Sequence, residues 1–233
     1  MSVDRDQLKR AAALRAIEEV QDGMVVGLGT GSTAAHVVEG LAARVAGGLR
    51  VVGIPTSERT AAQARRLGIP IATFAERQRL DLTIDGADEV QLGTLDLIKG
   101  LGGALLREKI VAAASDRLVI VVDQEKLVEQ LGEHTPIPVE VTQFGWQATA
   151  VALAKLGCVP ERRYMAGEQP YVTDGGNFIM DCRFGPLADP GITEQQLAMT
   201  VGTVESGLFV GRTSVVVVAS MTGVEVLVAP PRK

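Results

Sequence analysis

The chain has 233 residues, a net charge of −5 and an apolar fraction of 46%. That length accommodates one large domain or two small ones, with enough apolar residues for a sizeable core. The acidic balance excludes a general nucleic-acid binder, which would carry a basic surface, but leaves room for a local anion site.

Further classes drop out on the same grounds. Two cysteines, Cys158 and Cys182, do not make a disulfide framework and are expected as thiols in a reducing, cytoplasmic compartment. The N-terminal stretch is charged and helical in pattern, without an apolar signal core. No apolar run approaches the ~18 residues of a membrane span. His36 and His134 are the only histidines, and no HExxH or CxxC pattern occurs, so no built-in zinc site is expected.

In chain order, Leu8 to Ile17 carries an apolar stripe at helical spacing, ending near Asp22-Gly23. Met24 to Leu28 is an apolar strand, Gly29-Thr30-Gly31-Ser32-Thr33 breaks it, and Ala34 to Val45 is helical, the opening of a βαβ unit. Leu49 to Ile54 is the next strand. Thr56 or Ser57 caps a helix from Glu58 to Leu67. Pro70 to Phe74 reads as an outer strand, and Leu80 to Ile84 as a strand ending in an acidic turn. A short strand at Asp96 to Ile98, a helix from Leu105 to Ala114 and a buried strand from Leu118 to Val122 follow. Strands alternating with helices predict a mostly parallel sheet with helices on both faces.

The pattern changes near Gly132. An extended piece between Pro136 and Val141, a helix from Trp146 to Leu156, a hairpin of Tyr171–Thr173 with Phe178–Cys182, and a helix from Thr193 to Val201 predict a small α+β insert. Strands at Leu208–Val210, Val215–Ala219 and Val224–Val228 are expected to rejoin the first sheet or close its edge. The expected boundaries are 1–131 with 208–233 for the larger domain, and 132–207 for the insert.

The stretch Asp81 to Lys109 gathers most of the chemistry. Asp85, Asp88 and Glu89 crowd a turn at a strand end, where open α/β sheets bind ligands. Close carboxylates repel, which suits acid–base work or magnesium; a solvated turn is the plain alternative. Lys99-Gly100-Leu101-Gly102-Gly103 offers backbone able to wrap a small ligand and a cation for an oxyanion, or simply a flexible link. Glu108 shares a helix face with Ala104 and Val111, and is either a buried general base or the edge of a solvated face. Arg107 and Lys109 are expected to point to water. The Gly29–Thr33 loop opens a helix, whose free N–H groups can cradle phosphate; a capped tight turn is the alternative. Lys126 lies past a strand end, and Lys9 on the first helix. Spacing alone makes each a surface lysine.

Together these pieces resemble the ribose-5-phosphate isomerases of type A. The motifs are VGLGTGSTAAHVV, GIPTS, TIDGADEV, LIKGLGGALLREKIV, the Asp123–Leu127 segment, PIPVEV, VTDGGNFIMD and GTVESGLF, in the family's order and over almost the whole chain. The resemblance implies a Rossmann-like sheet with helices on both faces and a smaller inserted α+β, ferredoxin-like domain. It implies an aldose–ketose isomerase that exchanges ribose 5-phosphate and ribulose 5-phosphate without cofactor or metal. Thr30, Gly31, Ser32 and Thr33 would hold substrate, with Lys9 on the phosphate. Asp85, Gly86, Ala87 and Asp88 would form one wall, Asp85 and Asp88 handling hydroxyl protons. Lys99, Gly100, Leu101 and Gly102 would form another, with Glu108 the proton acceptor and Lys126 a further contact. Homodimers or tetramers are implied, with no nucleic-acid or membrane partner. Leu101 stands where many members have Gly, and an ordinary backbone angle is expected there.

Other sugar-phosphate enzymes, such as amino-sugar phosphate deaminases or lactonases, would need a different acid–base set, often with His. A sugar-phosphate sensor would need a DNA-reading helix-turn-helix. A dinucleotide enzyme would need the full GxGxxG; here Ser32 replaces its last Gly, and Pro55-Thr56-Ser57 stands where the ribose-binding acid belongs.

Overall fold

The computed structural model describes residues 5–230; the outer ends of the larger expected domain, at 1 and 233, lie beyond them. The chain forms two compact units. One comprises residues up to 87, 107–126 and from 212 onward; the other comprises 88–106 and 127–211.

The first unit is an open six-stranded sheet. Its strands are β1 (Val25–Leu28), β2 (Val52–Pro55), β3 (Leu82–Asp85), β6 (Leu118–Asp123), β13 (Val215–Ser220) and β14 (Gly223–Val228), ordered β14-β13-β6-β3-β1-β2. All neighbours run parallel except β13 and β14, a hairpin on the edge. The central strands β6 and β13 are runs of Val, Ile and Leu, as expected for strands covered on both faces. Side chains alternate, so Val26, Leu28, Leu82, Ile84, Val119, Val121 and Val217 enter one core with helices α1 (Arg5–Ala16) and α2 (Ser32–Ala46). The opposite face meets helix α4 (Leu105–Ala113): a Cβ on Gly27 would lie 2.7 Å from Val111, and Thr83 Oγ1 is 2.6 Å from Ser115 Oγ just past the helix. Helix α3 (Glu58–Arg66) begins at Ser57, whose Oγ accepts the Thr60 amide, the cap expected from the sequence.

The second unit holds two sheets. Strands β8 (Ile137–Val141), β9 (Val159–Arg162), β10 (Phe178–Arg183) and β11 (Thr203–Ser206), with helices α5 (Trp146–Ala154) and α6 (Pro190–Ala198), follow one another as βαββαβ. Their antiparallel order, β11-β8-β10-β9, is the ferredoxin-like arrangement. Strands β4 (Glu89–Gln91), β5 (Leu97–Ile98), β7 (Leu127–Val128) and β12 (Leu208–Phe209) make a smaller sheet, ordered β12-β5-β4-β7.

Several local expectations are corrected. Pro70–Phe74 is not a full strand; it makes only an isolated bridge from Ile71 to Gly53. Tyr171–Thr173 is not a hairpin strand. Asp174 to Asn177 is a turn closed by Thr173, and β10 pairs instead with β8 and with β9. β12 does not rejoin the large sheet but pairs with β5, and β7 pairs with β4, so that 208–211, 88–106 and 127–131 fall in the second unit. Cys158 and Cys182 are free and buried.

Candidate active site

In the first unit β1 lies between β2 and β3, so the connections leaving β1 and β3 diverge to opposite sides. The carboxyl ends of those two strands flank the switch point at which such sheets bind ligands. Leu28 leads there into Gly29–Thr33, and β3 ends at Asp85. The two loops are locked together. Asp85 Oδ1 accepts the Thr30 amide at 3.0 Å and its own neighbour's, Gly86, at 2.8 Å, while the Gly29 amide donates to the Ile84 carbonyl. Asp85 is 1% exposed, a carboxylate held in place by backbone donors. Gly29 is required by this approach: a Cβ would sit 2.2 Å from Asp85 Oδ1.

The Gly29–Thr33 loop departs from expectation in one respect. The Thr30 hydroxyl is turned inward, 2.7 Å from Thr56 Oγ1 and 2.8 Å from Ser57 Oγ. The outward part of the loop is Gly31, Ser32 and Thr33. Gly31 has φ 129° and begins α2 without a side-chain cap, leaving the helix's first amides to other partners.

Glu108 lies in the first turn of α4 and is 3% exposed, which removes the solvated-edge alternative. Val111, one turn further on, packs at the level of Gly27, two residues before Gly29. Three residues of helix rise by about 4.5 Å, so Glu108 lies on the sheet face shared by Thr83 and Asp85, toward the strand ends. Arg107 is partly exposed, with Nη1 2.8 Å from Glu58. Lys109 is buried, against the expectation that it would point to water. Lys126 ends the 3-10 turn after β6, the strand next to β3. Lys9 is half-buried on α1, one turn after Asp6, whose carboxylate meets His36 Nε2 of α2 at 2.9 Å. Gly86 and Ala87 complete the turn after Asp85 and are partly exposed.

In the second unit Asp88 and Glu89 diverge. Asp88 Oδ2 accepts the Leu101 amide at 2.9 Å, tying the acidic turn to the Lys99–Gly103 loop. Glu89, expected as a third acid of one cluster, is 1% exposed and accepts amides from Gly132 at 2.6 Å, His134 at 2.8 Å and Thr135 at 2.7 Å. Three donors on one carboxylate make it a structural clamp. Lys99 is buried, its Nζ 5.6 Å from the Phe209 ring centroid. Gly100 and Gly103 take positive φ, whereas Leu101 does not, so Leu at that position is unstrained. Arg163, which the sequence did not single out, holds this loop through its carbonyls. It forms a fork with Asp181 and donates to the Gly100 carbonyl at 2.9 Å and the Leu101 carbonyl at 3.1 Å.

Among the described residues, no three His, Cys, Asp or Glu side chains converge as a metal-ligand group, and no helix is long and apolar enough to cross a membrane.

The chain matches the family described as ribose 5-phosphate isomerase A (phosphoriboisomerase A) over residues 52–223. It is 65% identical to ribose-5-phosphate isomerase A of Gloeobacter violaceus, covering 97% of each chain, and 54% identical to that of a Synechococcus strain over 95% of this chain and 97% of the other. Among solved structures it is similar to ribose 5-phosphate isomerase A of Methanocaldococcus jannaschii (TM-score 0.92, 40% identity, 97% and 100% covered). It is also similar to a D-ribose-5-phosphate isomerase in complex with phospho-erythronic acid (TM-score 0.94, 36% identity, 97% and 100% covered). With Asp85 at the switch point of an open sheet and these relatives, the chain is an aldose–ketose isomerase of sugar phosphates. More narrowly, it belongs to the ribose-5-phosphate isomerase A family and interconverts ribose 5-phosphate and ribulose 5-phosphate.

Proposed function

We propose that the isomerisation runs by proton transfer through an enediolate, with Glu108 carrying the proton between C2 and C1. Moving a carbonyl by one carbon requires removing a carbon-bound proton and returning it next door, which one carboxylate can do. Burial at the start of α4, on the sheet face that also carries Asp85, supports this role and is the observation on which it chiefly rests.

Asp85 serves the hydroxyl proton and ring opening. Its anchored Oδ1 gives it a defined orientation, which favours a positioned acid–base group over a mobile one. Gly31, Ser32 and Thr33, with the amides that open α2, hold the phosphate, assisted by Lys9; Thr30 contributes by shaping that loop. Lys126, Gly86 and Ala87 are further contacts. Lys99 balances the developing oxyanion, and Asp88 orients the Gly100-Leu101-Gly102 backbone through the Leu101 amide. The four-carbon phosphorylated acid bound by a relative supports a site that takes phosphate at one end and negative charge at the other. Neither step calls for a cofactor or metal.

We also propose a cytoplasmic homodimer or tetramer acting in the non-oxidative branch of the pentose phosphate pathway. The test is ketose formation from ribose 5-phosphate with chelator present, alongside amino-hexose phosphates. Turnover of the pentose alone supports this function. Chelator-sensitive turnover, or preference for the amino sugar, overturns it.

A further inference from the structure

Beside the strand ends lies a set of four hydroxyls whose mutual bonding goes beyond the Ser57 cap of α3 and the shaping of the loop by Thr30. Thr30, Thr56, Ser57 and Thr60 are all buried. Thr30 Oγ1 is 2.7 Å from Thr56 Oγ1, 2.8 Å from Ser57 Oγ and 3.1 Å from Thr60 Oγ1. Ser57 Oγ is 3.0 Å from Thr60 Oγ1, and Thr60 Oγ1 is 3.0 Å from the Gly29 carbonyl. Each hydroxyl has one proton, and one directed chain satisfies the set: Thr56 donates to Thr30, Thr30 to Ser57, Ser57 to Thr60, and Thr60 to the Gly29 carbonyl. Thr56 Oγ1 also lies 3.1 Å from the Leu28 carbonyl, which accepts the Thr56 amide at 2.9 Å as well, so the Thr56 proton has two acceptors, Leu28 and Thr30. Such chains polarise one another and tolerate no missing member when buried.

The chain begins and ends on the β2–α3 connection and the Gly29-Thr30 backbone. That backbone supplies the Thr30 amide to Asp85 Oδ1 and approaches Asp85 too closely for any Cβ at Gly29. We propose that Thr56, Ser57 and Thr60 are positioning residues for the isomerisation. They fix the Gly29-Thr30 backbone and, through its amide, the Asp85 carboxylate. This role rests on the assignment of Asp85 to proton handling.

The test is a double-mutant cycle between Thr60→Val, which keeps shape and loses the hydroxyl, and Asp85→Asn, which keeps an oxygen for the Thr30 amide and loses the charge. Thr60→Val is expected to lower kcat ~10-fold with KM within about twofold of wild type, and Thr60→Ser to restore turnover. In the Asp85→Asn background the same change is expected to cost less than about twofold, because the two residues act as one unit. Equal losses in both backgrounds, wild-type turnover of Thr60→Val, or a Thr60→Ser as impaired as Thr60→Val each overturn the positioning role. Wild-type turnover of Asp85→Asn instead overturns the assignment of Asp85 itself, and the positioning role with it. If Thr60→Val does not fold, as judged by circular dichroism, Thr56→Val is read by the same cycle.

Discussion

Asp85 Oδ1 accepts the backbone amide of Thr30 at 3.0 Å, joining the ends of two neighbouring strands. The join needs Gly29. An added Cβ there would lie 2.2 Å from Asp85 Oδ1 and 2.6 Å from its Cα, too close for a side-chain rotation to relieve. Gly29→Ala is therefore expected to push the loop off Asp85. Thermal melts should show a loss of roughly 1–3 kcal/mol, and steady-state kinetics a fall in kcat/KM. A stable, fully active variant would show that the two strand ends are free to separate.

Glu89 separates structure from chemistry in the acidic turn. Its carboxylate holds three amides of the Gly132–Thr135 segment in a buried setting. Glu89→Ala strands those donors and should cost about 3 kcal/mol in denaturant unfolding. At temperatures where the variant remains folded, kcat should stay close to wild type.

Arg163 should act on the Lys99–Gly103 loop, which is proposed above to contact substrate. Its guanidinium spans Asp181 and the carbonyls of Gly100 and Leu101. Lysine keeps the charge but cannot make the fork and reach both carbonyls. Arg163→Lys is expected to raise KM for ribose 5-phosphate by ~10-fold, with a smaller effect on kcat.

Acid stability should depend in part on Glu19. Burial opposes its charged form, but hydrogen bonds and charges from Arg15 and Arg117 outweigh burial and hold its pKa below the ordinary glutamate value. A carboxylate with a depressed folded pKa contributes stability above the unfolded value. That contribution is lost as pH falls through the folded one. Glu19→Gln should therefore destabilise at neutral pH and flatten the decline in melting temperature below about pH 4.3.

The sequence carried the alternation of strands and helices because β6 and β13 are long β-branched runs and the helices between strands are capped or Gly-ended. It did not reveal β9, whose Val-Pro-Glu-Arg is an edge strand without an apolar face. The turn signal at Asp174–Asn177 was real, but partner choice by β10 is a long-range matter that local turn chemistry does not determine. Motif resemblance singled out Asp85 and Glu108. Spacing alone left Glu108 open and misplaced Lys109, because burial of a charged helix residue depends on what packs across from it. The Thr30–Thr60 hydroxyl chain joins residues about one crossover apart. Only adjacency of β1 and β2 in the sheet could have signalled it.

The most direct measurement compares Glu108→Gln with wild type, following turnover of ribose 5-phosphate and its binding by calorimetry. The variant should fold and bind substrate with little change while kcat falls by ~10² or more. Turnover like that of wild type would remove Glu108 from proton transfer and contradict the mechanism.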